Sequence, residues 1–420
     1  MNQFIMAEQN ARTITGDDKI FALNGKAKEM IAKVGKDKVA NATLGALMDD
    51  EGNLVVLSTV VDVLKSLSPL DYAEYAPIAG VPGFLETVKT AVFGKDIPTD
   101  LNIATIATPG GTGAIRNTIQ NYSRRGDVIL TSDWYWSPYL TIAQELERGL
   151  ETYPLFTEDG KYFLKGFSDK MNSILNRQGR IVILINTPAH NPTGYTLSSQ
   201  DWDGILSAMK DAASDKSKKI VFLVDIAYID FAEDPEADRS FFKKFNDLPE
   251  NILPLIGFSM SKSLTMYGMR GGALMCLTPN SQIAEEFKKV VSFSTRGSWS
   301  NGTRSAMVAM QRIFEDPALL QKVNEERSKY GNMLLRRGQT FVRAAEEAGL
   351  ELIPFRAGFF LIVPCDNPDE VSEELQKDGI FAVPFGGRGL RVSVASVPET
   401  MCATMPAKIA DAIKRVNGKQ

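Results

Sequence analysis

Residues 181–194 of the chain are IVILINTPAHNPTG, a run of five apolar residues followed directly by a polar segment rich in turn residues. Residues 220–228, IVFLVDIAY, repeat this arrangement with an acid where the apolar run ends. Neither run alternates between apolar and polar residues, which is typical of strands buried on both faces of a parallel sheet. The two stretches therefore predict buried parallel strands whose carboxyl ends carry polar groups.

The same pattern of uninterrupted apolar runs continues through the middle of the chain. Further uninterrupted apolar runs occupy residues 103–107, 128–130, 255–258 and 273–277, and helical patterns lie between them. This alternation of strand and helix indicates an α/β layered domain. From Pro317 to Gly349 the pattern becomes one long amphipathic helix, beyond which we expect a second, smaller α+β domain.

Composition excludes several classes of protein. The chain has 420 residues, 44% of them hydrophobic and 23% charged, with a formal net charge of −4. These values exclude a disordered or collagenous chain and give no reason to expect nucleic acid or an anionic membrane as partner. The N-terminus lacks a signal-peptide pattern, and no apolar run approaches the ~20 residues that span a bilayer. Three widely spaced cysteines, Cys276, Cys365 and Cys402, favour a reducing compartment, so we expect a cytoplasmic protein.

The chain contains a single histidine, His190. A histidine cluster for zinc or iron is therefore excluded, and we predict no metal site. Any Ser/His/Asp or Cys/His mechanism would have to use that one residue. A lysine working with an organic cofactor becomes the first candidate for the chemistry of an enzyme.

Four polar motifs follow apolar runs. Residues 108–114, TPGGTGA, precede a helical pattern, where glycines and a helix N-terminus can receive a phosphate. The second motif is the polar turn at residues 186–194. The third is Asp225, a carboxylate that is costly to bury without a partner. The fourth is Lys262 in the segment FSMSK, with Arg270 eight residues later.

Each motif alone has an ordinary explanation as a glycine-rich turn, a loop, a helix cap or a surface lysine. Together they offer phosphate ligands, an acid for a ring nitrogen and an amine for an aldehyde. Pyridoxal 5′-phosphate requires that combination, and we therefore predict it as the cofactor.

At these positions the sequence resembles the class I aminotransferases of the pyridoxal-phosphate fold-type I group, specifically the aspartate and aromatic amino-acid branch. The matching residues are Gly45, Tyr75, Gly111, Thr112, Gly113, Ala114, Trp136, Asn191, Pro192, Thr193, Gly194, Asp225, Tyr228, Ser259, Lys262, Arg270, Arg296 and Arg391. The resemblance implies a large domain with a mostly parallel seven-stranded sheet between helices, plus a smaller α+β domain. We expect residues 1–54 to form an N-terminal arm and part of the small domain, residues 55–316 the large domain, and residues 317–420 the long linking helix and the rest of the small domain.

The resemblance also implies roles for the cofactor-binding residues. Lys262 would hold the cofactor as an aldimine and later carry a proton, Asp225 would keep the ring nitrogen protonated, and Tyr228 would contact the phenolic oxygen. The remaining cofactor contacts would come from Asn191 at the phenolic oxygen, from Gly111, Thr112, Gly113, Ser259 and Arg270 at the phosphate, from Tyr75 of a second subunit, and from Trp136 stacked on the ring. Trp134 and Tyr135 are the alternatives for the stacking position.

The implied activity is transfer of an amino group, by a ping-pong mechanism, from aspartate or an aromatic amino acid to a 2-oxo acid such as 2-oxoglutarate. The substrate would be bound by Gly45, Asn191, Arg391 at its α-carboxylate, and Arg296 at a distal carboxylate from across a homodimer with shared active sites. Gly110 stands where many members of the family that the sequence resembles have a phosphate-binding serine. Leu47 and Trp299 replace residues expected in a strict aspartate enzyme. A pyridoxal-phosphate lyase or decarboxylase on the same fold is the alternative, and a non-enzymatic DNA-binding regulator is a third class.

Overall fold

The large sheet contains the predicted buried strands, and the computed structural model describes it within residues 4–8, 11–13 and 19–418. Parts of the predicted N-terminal arm, residues 1–3, 9–10 and 14–18, lie outside the described residues. The described strands are β1 (Ala40–Asn41), β2 (Asn102–Pro109), β3 (Val128–Ser132), β4 (Gly149–Tyr153), β5 (Arg180–Asn186), β6 (Lys219–Asp225), β7 (Ile252–Ser259), β8 (Gly271–Thr278), β9 (Phe360–Pro364), β10 (Ile380–Phe381), β11 (Val383–Phe385) and β12 (Gly389–Ser393).

Helices precede, follow and separate these strands. The described α-helices are α1 (Lys19–Val34), α2 (Ser58–Lys65), α3 (Pro69–Ala73), α4 (Pro82–Phe93), α5 (Gly110–Tyr122), α6 (Pro138–Glu145), α7 (Leu164–Gln178), α8 (Ser199–Ala212), α9 (Met260–Ser263), α10 (Ser281–Ser298), α11 (Arg304–Glu315), α12 (Pro317–Glu347), α13 (Pro368–Lys377) and α14 (Glu399–Asn417). Over the part of the chain that the structure describes, no helix is both long and apolar enough to cross a membrane.

The large sheet has seven strands in the order β2-β8-β7-β6-β5-β3-β4. Strand β8 is antiparallel to both of its neighbours, and the remaining strands are parallel to one another. The predicted fold class, a mostly parallel seven-stranded sheet between helices, is confirmed. The individual runs in the sequence indicated only six of these strands, because β4 is a half-buried edge strand, GLETY, without a continuous apolar run.

Burial on both faces explains why the central strands do not alternate. In β5, Ile183 belongs to a hydrophobic cluster that includes residues of α7 and α8. Its neighbour Leu184 points to the other face and joins a cluster with residues of α5 and α10. Since successive side chains of a strand point to opposite faces, both faces need apolar residues.

A third hydrophobic cluster lies around two smaller sheets. Strands β11, β12 and β9 form an antiparallel sheet, and β1 pairs with β10 in parallel. The cluster combines residues from the segment 40–55 with residues from 333–416. The long helix α12 contributes Val323 to a large-sheet cluster and Phe341 to this third cluster, so it joins the two regions.

The register of the large sheet brings the polar strand ends together. Asn186 pairs with Asp225, which in turn pairs with Gly257 on β7. Helix α5 starts directly after β2, and α9, which carries Lys262, starts directly after β7. The four motifs therefore meet at one edge of the sheet, where ligands bind in open α/β folds.

We predict that Gly272→Ala destabilises this edge. A Cβ atom at Gly272 would lie 2.6 Å from the carbonyl oxygen of Phe258 and 2.7 Å from backbone atoms of Gly110, and backbone atoms cannot swing aside. The free energy of unfolding should fall by about 1–3 kcal/mol or more, measured by chemical denaturation without cofactor. Gly331→Ala is the matched control, because its Cβ in helix α12 would meet nothing within 4 Å, and it should gain about 0.5–1 kcal/mol. Equal effects of the two substitutions would contradict this close approach.

Candidate active site

A cavity of about 160 Å³ opens at the carboxyl edge of the large sheet. It is lined by Gly111, Thr112, Ile115, Trp136, Asn186, Asn191, Asp225, Ala227, Tyr228, Ser259, Ser261, Lys262 and Arg270. Most of these residues were singled out from the sequence, where they are separated by up to 160 residues. One cavity thus combines a lysine, a carboxylate, an arginine and the amino end of a helix.

The amino end of α5 and Arg270 form the anion-binding end of the cavity. Gly110 has φ +66°, and a Cβ atom there would lie 2.8 Å from the Arg270 guanidinium. The absence of a side chain at Gly110 therefore leaves room for Arg270. The guanidinium donates to Ser261 Oγ at 3.2 Å and to the carbonyl of Tyr267 at 3.0 Å. Unpaired N–H groups at a helix start and a neighbouring guanidinium suit a phosphate.

Asp225 is a buried carboxylate held by two neutral donors. Its Oδ2 accepts from the hydroxyl of Tyr139 at 2.7 Å, and its Oδ1 accepts from the backbone N–H of Ala227 at 3.2 Å. Burial raises the pKa of Asp225, which the two hydrogen bonds and the charge of Lys262 oppose. Burial also raises the pKa of Tyr139 well above its usual range, so the phenol stays protonated and remains a donor.

Lys262 lies in the cavity between two aromatic rings. Its Nζ is 5.5 Å from the ring centre of Tyr228 and 5.3 Å from that of Tyr267. Burial and the nearby charge of Arg270 lower the pKa of Lys262 to about 8, and Asp225 partly opposes this shift. A lysine with such a pKa has a much larger neutral fraction near physiological pH than an ordinary lysine, and the neutral amine is the form that attacks an aldehyde.

Asn191 is oriented by the neighbouring strand ends. Its backbone N–H donates to Asn186 Oδ1 at 2.6 Å, and Asn186 Nδ2 donates to the carbonyl of Asp225 at 2.8 Å. The Asn191 Nδ2 contacts the hydroxyl of Tyr228 at 3.4 Å. Among the described residues, the buried Asn191 Oδ1 has no hydrogen-bond partner, which is typical of a group that contacts a ligand.

The structure distinguishes the three aromatic candidates at residues 134–136. Trp136 lines the cavity and makes an edge-to-face contact with Tyr139, with ring centres 5.7 Å apart. Trp134 is buried in the large-sheet cluster, and its ring stacks on Phe385. Tyr135 packs against the opposite cluster. Trp136 is therefore the aromatic residue of this loop that lines the cavity.

Two predicted glycines serve close packing next to the cavity. A Cβ atom at Gly113 would lie 2.5 Å from Pro109 Cδ, so this glycine lets α5 approach the end of β2. A Cβ atom at Gly45 would lie 3.0 Å from the ring of Phe360. Arg391 lies over the same ring at 4.4 Å and donates to the carbonyl of Thr43 at 3.0 Å. These three predicted residues are beside the cavity and are not part of its lining.

Two other predicted residues lie on the surface of the single chain. Tyr75 follows helix α3 and is 84% exposed. Arg296 lies in the last turn of α10, is exposed, and donates to Ser300 Oγ at 2.6 Å. Neither residue lines the cavity of its own chain.

Three polar residues of the site were not among the predicted site residues. Asn186 and Ser261 lie inside two of the four motifs, the polar turn and the segment FSMSK, but neither was given a role, although each occupies the same strand end as a predicted residue. Tyr139 had no such signal, because the packing of helix α6 brings it to Asp225 across 86 positions of sequence.

The donor set of this cavity fits pyridoxal 5′-phosphate. Asp225 is a buried anion that a protonated ring nitrogen can balance, Lys262 supplies the amine, and Asn191 lines the same cavity with a side-chain oxygen that has no hydrogen-bond partner among the described residues. Helix α5 and Arg270 can hold the phosphate. Within the described ranges, no group of three or more His, Cys, Asp or Glu side chains could hold a metal ion. The fold and the cavity together define a pyridoxal-phosphate-dependent enzyme.

Known proteins identify the family. Residues 38–409 match the sequence model of the family described as aminotransferase class I and II. A crystal structure of an aminotransferase from Anaerococcus prevotii is 37% identical, covers 98% of this chain and 100% of its own, and superimposes with a TM-score of 0.95. The mitochondrial aspartate aminotransferase of Arabidopsis thaliana is 28% identical over 70% of this chain and 67% of its own length.

A more distant structure shares the fold. It is an aromatic-amino-acid aminotransferase from Burkholderia pseudomallei, covalently bound to pyridoxal phosphate, with 22% identity, coverage of 97% and 100%, and a TM-score of 0.80. This chain belongs to the aminotransferase class I and II family. It is a pyridoxal-phosphate-dependent aminotransferase acting on small molecules, as the sequence predicted, and the lyase or decarboxylase alternative is not favoured.

The pKa of Lys262 predicts how the protein captures its cofactor. Because the neutral amine is the nucleophile, capture by the cofactor-free protein should accelerate as pH rises to about 8 and then level off. An ordinary lysine would continue to gain rate up to about pH 10.4. The measurement is the rate of the visible absorbance change on mixing with pyridoxal 5′-phosphate at a series of pH values. A Lys262→Ala protein supplies the background, and a midpoint near the ordinary value would contradict the lowered pKa.

Proposed function

We propose that the enzyme transfers an amino group from aspartate or an aromatic amino acid to 2-oxoglutarate. The observation that carries this proposal is Arg391, a 5% exposed arginine beside the cavity. Its charge is close enough to Tyr228 to oppose the rise that burial causes in the pKa of that phenol. A buried guanidinium near Tyr228, whose ring centre is 5.5 Å from Lys262 Nζ, suits a bidentate contact with the α-carboxylate that all amino and 2-oxo acids share.

The roles that we propose for the cofactor-binding residues follow from their positions. Bound pyridoxal phosphate supplies an electron sink for the charge that develops at the substrate α-carbon. Asp225 keeps a proton on the ring nitrogen, and Tyr139 orients that carboxylate. Lys262 moves the proton at the α-carbon, since its Nζ titrates near pH 8. The rest of the proposed set orients the cofactor: Gly111, Thr112, Gly113, Ser259 and Arg270 at the phosphate, Trp136 at the ring, and Asn191 with Tyr228 at the phenolic oxygen.

Arg296 is the residue that we propose selects the side chain of the substrate. The names of the relatives support both substrate classes, because one is an aspartate and another an aromatic-amino-acid aminotransferase. An arginine that reaches the cavity from a second subunit would favour a dicarboxylate. Partly buried Trp299, three residues after Arg296, would supply apolar surface beside it in the proposed dimer, which would accommodate an aromatic ring.

We propose that the active enzyme is a homodimer with shared sites. Large apolar side chains are exposed on the single chain, among them Leu70 at 70%, Tyr75 at 84% and Phe293 at 83%. Tyr75 and Arg296 lie in the same two regions, α3 and its following loop and the end of α10. Exposed apolar residues next to polar ones are typical of a protein interface, and a second chain would place both residues at its partner's cavity.

We also retain the predicted domain division and location as proposals. The third hydrophobic cluster, which combines segment 40–55 with residues 333–416, supports a small domain built from both ends of the chain. Hydrogen exchange at low denaturant would test it, since residues of one domain should open together.

All three cysteines are free, which supports a reducing compartment such as the cytoplasm. Subcellular fractionation would test the location.

Arg296→Leu tests the substrate assignment. The wild-type protein should form glutamate from 2-oxoglutarate with aspartate or an aromatic donor, measured for each amino acid in turn. The substitution should cost a dicarboxylic donor about 2–5 kcal/mol in kcat/KM, because it removes a charge-assisted pair, while an aromatic donor loses much less. Arg125→Leu is the control, since the side chain of this arginine is 78% exposed, contacts Glu147 at 3.7 Å and does not line the cavity. Equal losses for both donors would show that Arg296 does not contact the side chain.

Hybrid dimers test the shared sites. Lys262→Ala protein and a Tyr75→Ala/Arg296→Ala protein should each be inactive, but a hybrid of the two has one site with all three residues intact. Refolding equal amounts together should restore up to about a quarter of wild-type activity, because half of the dimers are hybrids with one intact site each. Purified hybrids without activity, or a monomer by light scattering, would contradict the proposal.

A further inference from the structure

The hairpin of β11 and β12 ends in a tight turn at residues 386–388. Gly386 and Gly387 have φ values of 59° and 68°, which glycine adopts without a steric cost. The turn presents Arg388, and Arg391 follows three residues later on β12, paired with Val383 across the hairpin. The position of the turn therefore affects the position of Arg391.

Arg388 reaches from this turn to the loop after β3 of the large sheet. Its guanidinium carbon is 3.8 Å from the centre of the Trp134 ring, and its Nη1 is 2.7 Å from Asp133 Oδ2. The carboxylate is fixed on the large-sheet side, because its other oxygen accepts from the backbone N–H of Leu155 at 2.9 Å. The guanidinium thus makes a cation–π contact and an ion pair with two consecutive residues.

The same loop carries a wall of the active site. Trp134 is 5% exposed, and Phe385 of the hairpin stacks on its ring with centres 5.9 Å apart and planes 23° apart. Two residues later, Trp136 lines the cavity. One contact region therefore connects the hairpin that carries Arg391 with the loop that carries Trp136.

We propose that Arg388 is a positioning residue for the substrate, acting through Arg391 and Trp136. It does not line the cavity, and it holds the hairpin against the loop so that Arg391 and Trp136 keep their spacing. The inference rests on the proposed role of Arg391 as the ligand of the α-carboxylate. It adds a residue outside the cavity that sets the spacing of the substrate site.

The exposure of the Arg388 and Asp133 side chains indicates which part of the contact contributes most to positioning the hairpin. The side chains of Arg388 and Asp133 are 41% and 22% exposed, so the ion pair alone contributes little. The contact with the Trp134 ring distinguishes arginine from lysine, since a planar guanidinium can lie on the ring and pair with the carboxylate at once. The Arg388→Lys variant keeps the positive charge but should lose most of the contribution that Arg388 makes to positioning the substrate site.

The experiment compares Arg388→Lys and Arg388→Ala with Arg415→Ala. Arg415 is matched because it is 43% exposed and forms ion pairs with Glu374 and Asp378, within the elements that follow α12. Both Arg388 variants should raise the KM of donor and acceptor, by about tenfold for alanine, with a much smaller change in kcat. Arg415→Ala should leave both constants unchanged.

A binding measurement makes the test independent of turnover. The Kd of 2-oxoglutarate for the pyridoxal form, which lacks the amino group to transfer, should rise in parallel with KM in calorimetry. Tryptophan emission of the cofactor-free protein reports whether the Arg388–Trp134 contact is lost. Lost contact with unchanged Kd and KM would overturn the inference.

Arg391→Lys separates the inference from the proposed function. If Arg391→Lys weakens binding of 2-oxoglutarate and Arg388→Ala does not, the positioning role of Arg388 is wrong and the proposed function stands. If Arg391→Lys binds 2-oxoglutarate like the wild type, the proposed role of Arg391 is wrong. If Arg391→Lys and Arg388→Ala both bind 2-oxoglutarate more weakly while Arg415→Ala is unchanged, the proposed function and the positioning role of Arg388 are both supported.

Discussion

The buried carboxylate of Asp225 is the constraint on which the active site depends. A charge in a low-dielectric interior is costly unless donors and an opposite charge compensate it, and the protein supplies two neutral donors and a nearby lysine. This arrangement leaves a demand for a cation that pyridoxal phosphate can satisfy at its ring nitrogen. The carboxylate therefore contributes both to binding the cofactor and to tuning it. Its position at the end of β6 ties this chemistry to the register of the large sheet.

The parallel register distributes the remaining groups around that carboxylate. Asn186 is the direct neighbour of Asp225 and orients Asn191, and the next strand leads into Lys262. Segment 43–47 also contributes to this region. The carbonyl of Thr43 accepts a hydrogen bond from Arg391. The backbone N–H of Leu47 in that segment donates to the hydroxyl of Tyr267, next to the lysine. A short N-terminal segment therefore contacts Arg391 directly and Lys262 through Tyr267.

Electrostatics and close packing support each other at the phosphate end. Gly110 admits the Arg270 guanidinium, which in turn lowers the pKa of Lys262. The glycine at position 110 therefore permits a close approach of the arginine to the helix start. At the opposite end, Arg388 connects the hairpin of Arg391 to the large sheet through a contact outside the cavity. Both ends show how residues that do not contact the reacting atoms determine where those atoms lie.

The sequence by itself determined the fold class and the residues at the strand ends, because burial on both faces leaves continuous apolar runs and polar residues mark their carboxyl ends. Asp225 and Lys262 were found in this way. Only the tertiary structure decided which aromatic residue of the loop lines the cavity, that Tyr139 donates to Asp225, and that Arg388 lies on Trp134. These contacts join residues far apart in sequence through the packing of helices and turns, which leaves no local pattern. The half-buried edge strand β4 was missed for a related reason, because its pairing with β3, and not the pattern of its own residues, makes it a strand.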